Sequence, residues 1–514
     1  MVCGCPSVVL PSVVLLCCPF PLLSFLCCPS LLSFSVVLMV SGCSQSSSSA
    51  QTSTRLQQSE SRFEIDRQRG LILTHADTAM GHNANSTVTS QVAPALASSF
   101  RQARPPQICQ IELPILHIAT GTKAIADEPK VPATLKILQP GRAPEIFPIA
   151  IEWRGKTSST YPKKSYGFEL RDRNDFNSAT KLPLLGMRKD DDWVLDALWN
   201  EPIAIRDFTA YEIWRRMAAD HENRNDYDLP QQRYCELFLD GEYCGVYYLG
   251  ERVDPKMLKL KKNDGPSQGR VYKAISWSDA SSFKSLPTIV HPSAQWGGFE
   301  AVFQKAQKQV QWNPLREFIA MVTEADSIQF NQAIGREVHL DNAVDYFIFI
   351  NLLAAMDNRS KNYYLVRQSE SSPWFFVPWD LDLTAGICFP TVRKDVMEAR
   401  MYNGLFRRLM QHPEFVQAVT DRWRHLRSGL FEKETLKSLY RQNFQRLTDN
   451  GVYARQQQFP KLRADFDSPE REIEFLEQWL DSRIDFLDSW FGQTERLVKR
   501  LRREQGAPTA PASR

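Results

Sequence analysis

Residues 351–383, "NLLAAMDNRSKNYYLVRQSESSPWFFVPWDLDL", place three carboxylates and an amide at the ends of strongly apolar segments. Asp357 closes one apolar run, Asn362 precedes a second, and Asp380 and Asp382 close a third. Asp and Asn are poor strand formers, and a carboxylate buried without a partner is costly. A hard divalent cation such as Mg²⁺ takes a few protein oxygens and completes its shell with phosphate oxygens. The set therefore reads as a candidate metal and phosphate site. The competing plain readings are a helix-ending Asp at 357 and turn residues at 380 and 382 that accept backbone hydrogen bonds.

These side chains need particular elements to bring them together. "DNAVDYFIFINLLAAM" is apolar enough for a buried helix ending at Asp357, "YYLVRQ" and "WFFVPW" read as strands, and "SESSP" reads as the turn between them. If the two strands pair, Asn362 and Asp380 meet at one end of the hairpin. The spacing Asp357-x4-Asn362 matches a kinase catalytic loop, and an Asp after a short hairpin is where a kinase keeps a Mg²⁺ ligand. The spacing alone is weak; the hairpin and the "WDLD" after it add specificity.

The first half of the chain reads mainly as sheet. "CQIELPILHIATG", "VPATLKIL", "EIFPIAIEWRG" and "KKSYGFEL" carry β-branched residues and alternation. "RYCELFLDGEYCGVYYLGERV" is a hairpin turning at Asp240-Gly241. Between them "EPIAIRDFTAYEIWRRMAAD" has helical spacing. From residue 298 the pattern turns helical, beginning with "GGFEAVFQKAQKQV" and ending with "SPEREIEFLEQWLDSRIDFLDSWFGQ". A β first lobe and a helical second lobe make an α+β arrangement.

Composition narrows the classes. The chain has 514 residues, 43% hydrophobic and 24% charged, with net charge +3. That balance gives no argument for nucleic-acid binding. Residues 1–43 contain no charged residue, and Val40-Ser41-Gly42-Cys43 resembles a bacterial lipobox before a Ser-rich stretch. The expectation is an exported, membrane-anchored lipoprotein of a bacterial cell envelope. No Lys or Arg precedes the apolar run, so an uncleaved anchor and a misassigned start are the alternatives. Membrane contact is expected only through this segment. Residues 44–104 read as a disordered polar linker, and residues 496–514 as a disordered basic tail. The body spans 105–495, with a first lobe to about 254 and a second from about 255. Cys235 and Cys244 flank the "LDGE" turn and could pair across it after export.

The segments "LPILHIATGTKAIADEPKVPATLKIL", "EWRGKTSSTYPKKSYGFEL", "DGEYCGVYYLGERVD", "GRVYKA", "DNRSKNYYLV" and "FFVPWDLDLTAG" span roughly residues 108–390. Their content and order resemble the CotH family, the spore-coat-protein-H-like atypical protein kinases. The resemblance implies a two-lobed protein-kinase-like fold with one helix inserted in its β-rich lobe, and ATP and Mg²⁺ as cofactors. It implies Asp357 as the catalytic-loop Asp, Asn362 and Asp380 as Mg²⁺ ligands, and Asp382 as a supporting or metal residue. The phosphate-binding lysine stays open. Lys164 lies on a strand ahead of the inserted helix, where Glu212 could pair with it; Lys163 and Lys273 are rivals. "RGKTSST" could cover phosphate with backbone N–H groups, but it departs from the usual Gly-rich loop.

Three functions compete. One is an exported kinase acting on Ser or Thr of a protein. Another is a kinase-like surface or assembly protein that only binds. The third is a metal-dependent hydrolase, which lacks the usual His/Asp clusters. Asp357, Asn362 and Asp380 together favour the first, since a pure binder has no chemical need of all three.

Overall fold

The computed structural model describes residues 63–66, 71–74, 113–121, 123–221, 229–260, 269–287, 294–302, 310–389, 392–393, 397–459 and 466–506. All of them lie within one compact unit, residues 61–514. The lipobox-like segment, Cys109 and the end of the expected tail lie outside the described residues. Within the expected linker, β1 (Phe63–Asp66) and β2 (Leu71–Thr74) pair as an antiparallel hairpin.

Seven strands form a closed barrel. They are β3 (Ile115–Ala119), β4 (Val131–Leu138), β5 (Glu145–Arg154), β6 (Ser165–Leu170), β9 (Asp192–Asp196), β10 (Gln232–Leu239) and β11 (Glu242–Glu251). The order is β10-β11-β9-β6-β5-β4-β3, and a parallel pairing of β10 with β3 closes it. A small hairpin, β7 (Leu182–Pro183) and β8 (Lys189–Asp190), branches from it. Leu135, Ile149, Phe168, Trp193, Leu195 and Leu249 are fully buried in the barrel core. Asp240 and Gly241 have φ of +50° and +91°, as a two-residue type I′ hairpin turn requires. Cys235 faces Tyr247 across this hairpin, and both Cys235 and Cys244 are free thiols. The expected pairing is not made: the turn sets Leu239 opposite Glu242, which places Cys235 opposite Tyr247, while Cys244 is the extra residue of the bulge nearer the turn.

Helix α1 (Arg206–Ala219) is inserted between β9 and β10. The buried carboxylate of Glu201 accepts the N–H groups of Ile205, Arg206 and Asp207, which the first turn leaves without intrahelical partners.

The second half is helical but holds a sheet of its own. β12 (Arg270–Ala274), β13 (Gln295–Trp296), β14 (Phe299–Ala301), β15 (Tyr363–Arg367) and β16 (Phe375–Pro378) align in the order β13-β14-β12-β15-β16. The helix expected over 297–310 is thus corrected at its start. Gly297 and Gly298, with φ of +57° and +84°, turn β13 back onto β14. Helices begin with α2 (Asn313–Thr323), α3 (Ser327–Glu337) and α4 (Leu340–Leu352). Beyond the short pair β17 (Ile387–Phe389) and β18 (Val392–Arg393) come α5 (Gly404–Leu409), α6 (Pro413–Arg427), α7 (Lys433–Asp449), α8 (Val452–Gln456), α9 (Pro469–Gly492) and α10 (Thr494–Gly506). The tail expected from 496 is therefore helical to Gly506. Ser468 caps α9 and Pro469 opens it, as the "SP" start predicts.

Helix α4 is buried along almost its whole length. Asn342 fixes it to β16: Nδ2 donates to Phe376 O at 3.0 Å, and Oδ1 accepts Phe376 N–H at 2.6 Å. The helix therefore ends at a defined distance from the β15–β16 hairpin, and the chain between them carries Asp357.

Candidate active site

The β15–β16 hairpin brings two of the opening residues together. Tyr363 pairs with Pro378, and Trp379 N–H donates to Asn362 O at 2.9 Å. Asn362 and Asp380 flank that last rung, each with φ of +58°. Asn and Asp tolerate this left-handed conformation better than other non-glycine residues, so the types that seemed misplaced on strands are suited to leaving them. Asn362 N–H donates to Ala274 O at 2.9 Å, which joins the end of β12 to the same corner. Asn358 Nδ2 donates to Asn362 O at 2.7 Å and Trp379 O at 2.9 Å, locking the loop to the hairpin end.

Asp357 starts a single 3₁₀ turn, Asp357–Arg359, just past α4. Its carboxylate accepts from Trp277 Nε1 at 2.9 Å and pairs with Lys361 Nζ at 2.8 Å. Burial pulls the Lys361 ammonium down, but its bond to Asp357 and the charges of Asp357, Asp380 and Asp382 outweigh burial and hold it above its ordinary value.

Asp380 is solvent-accessible and lies among cations. Desolvation by the surrounding protein pushes its carboxyl up, Lys273 and Lys361 oppose that, Asp357 adds to it, and Arg154 opposes it again. No described residue donates a hydrogen bond to its carboxylate. Asp382 accepts from Asn200 Nδ2 at 2.6 Å. Burial and then Asp380 hold its carboxyl well above the carboxylate range. The Asn362 side chain makes no hydrogen bond with a described residue.

The three rival lysines part company. Lys273 on β12 lies 5.4 Å from the centre of the Trp379 ring, and Arg154 from β5 lies 5.2 Å from it. Burial and then Arg154 lower Lys273 to about 8, while Asp380 and Glu300 oppose the fall. Lys164 sits just before β6 and donates to Ser159 O at 2.6 Å, turned toward a neighbouring loop. Lys163 ties the end of β9 to the middle of β11 by donating to Ala197 O at 2.7 Å and to Val246 O. Burial lowers it to about 7 against the pull of Asp196. The expected Glu212 contact with a lysine is corrected: Glu212 pairs with Arg216 at 2.7 Å on the outer face of α1. Glu212 directly follows Tyr211 and so points about 100° around the helix from it, away from the side that addresses the site.

That buried face carries Asp207 and Tyr211. With Asp196 at the end of β9, Asp207 belongs to the same electrostatic cluster. Burial raises Asp196 to about 6, with its backbone hydrogen bond to Leu198 opposing and Asp380 adding. Burial followed by Asp196, Asp382 and Asp380 raises Asp207 well above its usual range. Neither residue was among the sequence candidates. The signal was present in "DDDWVLDALWNEP", where an acid again ends an apolar strand.

Five carboxyls, Asp196, Asp207, Asp357, Asp380 and Asp382, thus act on one another, directly or through a shared member, and Arg154, Lys163, Lys273 and Lys361 oppose them. These mutually raised acids, with the unbonded Asp380 carboxylate, suit a bound cation, which favours their ionised forms. Among the described residues no three His, Cys, Asp or Glu side chains gather around one metal position. An ion held there would have to keep water or phosphate oxygens in its shell, as Mg²⁺ commonly does. A separate cavity of about 630 Å³ lies beside Lys163, Trp199 and Tyr453, and the opening residues do not line it.

Barrel, helix and second sheet all contribute to this corner, which defines a mixed α+β protein with an acidic site between its β-rich and helical parts. A family model described as CotH kinase protein matches residues 151–487, well over half of the chain. Inner spore coat protein H of Bacillus subtilis (strain 168) is 22% identical over 372 residues, covering 71% of this chain and 92% of that protein. The crystal structure of the Helicobacter pylori proinflammatory kinase CtkA aligns over 63% of this chain and 94% of that one. Its 11% identity and TM-score of 0.24 are too low to establish a common fold. The chain belongs to the CotH kinase protein family.

Proposed function

We propose that the protein is an exported, Mg²⁺-dependent kinase that moves the γ-phosphate of ATP to a Ser or Thr hydroxyl of a protein substrate. The observation that carries this reading is the convergence of Asp357, Asn362 and Asp380 at one hairpin end, with Lys273 and Lys361 acting on Asp380. Asp380 and Asn362 would hold Mg²⁺, with Asp382 in support, and the ion would supply positive charge against the phosphates.

Lys273 takes the place first considered for Lys164 and offers an ammonium to the phosphates. Asp357 orients the acceptor hydroxyl and takes its proton as the new O–P bond forms. The bond from the γ-phosphorus to its bridging oxygen breaks, and ADP leaves. Positioning and electrostatics do nearly all the work in such a transfer. The barrel and the helical half would act as the two lobes of a kinase-like clamp.

A second reading, a binding module in a surface layer, is favoured by the relative named as a spore coat protein. Among the described residues no helix is long and apolar enough to cross a membrane; anchoring is assigned to Cys43. Incubation of the purified protein with Mg²⁺ and γ-labelled ATP, with and without Ser-rich protein, separates the readings. Label on protein supports the kinase. Nucleotide binding without label supports the module.

A further inference from the structure

Helix α1 meets the Asp380 segment at three points. Tyr211 OH accepts Asp380 N–H at 3.3 Å, Asp207 Oδ1 accepts Leu381 N–H at 2.6 Å, and Arg206 Nε donates to Ala385 O at 3.3 Å. Asp207 and Tyr211 are four residues apart on one helical face. The helix therefore presents two acceptors to two successive backbone amides, one on each side of the Asp380 α-carbon. Asp380 sits there in the left-handed region, so both peptide planes around an unusual backbone are held while its carboxylate is left free.

The clamp is itself fixed. Glu201 caps the first turn of α1, and Arg206 pairs with Glu472 of α9 at 2.8 Å with both side chains buried. An acid in a first turn can merely complement the helix dipole. Asp207 does more than that, because it is 2% exposed and directed at another segment's amide. Its Oδ2 has no well-formed hydrogen bond, with the Tyr248 hydroxyl as polar neighbour.

We propose that Asp207 is a positioning residue for phosphoryl transfer: with Tyr211 it clamps the backbone around Asp380 and so sets where that carboxylate meets metal and nucleotide. This rests on the kinase reading. It gives the inner face of α1 a role at the site, whereas the expectation from sequence alone is Glu212 of this helix beside a lysine. Burial and the neighbouring acids favour the protonated form of Asp207, and that form still offers Oδ1 to Leu381. The task accordingly needs an acceptor oxygen rather than a charge.

The test compares Asp207→Ala, Asp207→Asn and Tyr211→Phe in the full chain. It reads kcat, KM for Mg-ATP, and amide hydrogen exchange of residues 380–382. Asp207→Ala should lower kcat/KM by roughly tenfold, the size of losing one buried hydrogen bond between neutral groups. Asp207→Asn should restore it to within about threefold, since the amide oxygen replaces the acceptor. Exchange at 381 should accelerate in the Ala variant alone. Wild-type kinetics in Asp207→Ala, or equal damage in Asn and Ala, would overturn the proposal. If the Ala variant does not fold, Tyr211→Phe decides: transfer should fall and exchange at 380 should rise, and no change in either overturns it. If the wild type transfers no phosphate, the kinase reading fails by itself. Exchange then judges the clamp alone: faster exchange in Asp207→Ala supports it, and unchanged exchange overturns it.

Discussion

At the scale of residues, the site separates into groups that bind and one that transfers. Asp380→Ala should abolish Mg²⁺-dependent nucleotide binding and phosphate transfer together. Asp357→Ala should leave binding intact and lower kcat by about 10²–10⁴-fold, the typical contribution of a positioned proton acceptor; calorimetry and single-turnover assays separate the two. Lys273→Gln should weaken Mg-ATP binding, whereas Lys164→Gln should leave it unchanged. Lys273 also sets a pH limit. Its ammonium is present below about 8 and is lost above that value, so KM for Mg-ATP should rise on the alkaline side, and Lys273→Gln should remove that limb. The acids at 357, 380 and 382 and the amide at 362 were legible because their types clash with apolar surroundings. The lysine was not, because a lysine in or beside a strand looks the same whether its tip meets a loop carbonyl, as in Lys164, or lies over an aromatic ring within the field of an acid, as in Lys273. Lys361 was missed although Asp357 lies only four residues away, because a lysine in a polar loop reads as solvated; Asp207 was missed because Leu381 lies on another segment.

At the scale of elements, the hairpin, the turn at Asp240-Gly241 and helices α1, α4 and α9 follow from periodicity and punctuation in the sequence. The orientation of α1 does not, since its apolar residues surround the axis and leave its facing to packing. The short strand β9 and the β13–β14 pair were missed because each is too brief to show a period. The buried pair of Arg206 and Glu472 joins α1 to α9. Arg206→Met leaves Glu472 buried without that guanidinium and should cost about 3–5 kcal/mol, measured by urea denaturation. A loss under about 1 kcal/mol, the value of an exposed pair, would show that the clasp is not structural.

At the scale of the whole molecule, buried acids give the metal-free protein an unusual pH dependence. Burial raises Glu201 to about 7, despite Arg206 and the N–H groups it caps, and raises Asp196 to about 6. A raised acid binds its proton more tightly in the folded state, so its stabilisation is complete below the unfolded pKa and lost as pH rises through the folded one. Between about pH 4.5 and 7 stability from these groups should fall, by on the order of 3 kcal/mol for Glu201 alone. Lys163 and Lys273, lowered to about 7 and 8, act in the opposite sense above neutrality, because the unfolded chain then holds more protons. Denaturation of the metal-free protein from pH 5 to 7.5 should show the decline, and Glu201→Gln should flatten it. An unchanged slope in that variant would reject the assignment.

Thermal melting of wild type and Asp380→Ala, each with Mg²⁺ alone, ATP alone and both, tests the central claim most directly. Mg-ATP at a hundredfold excess over its Kd should stabilise the wild type by about 2.7 kcal/mol. ATP alone should give far less, and Asp380→Ala should give no Mg-ATP shift. A wild type that Mg-ATP leaves unmoved, or an Asp380→Ala variant that keeps the whole shift, would contradict a metal-nucleotide site at the end of the β15–β16 hairpin.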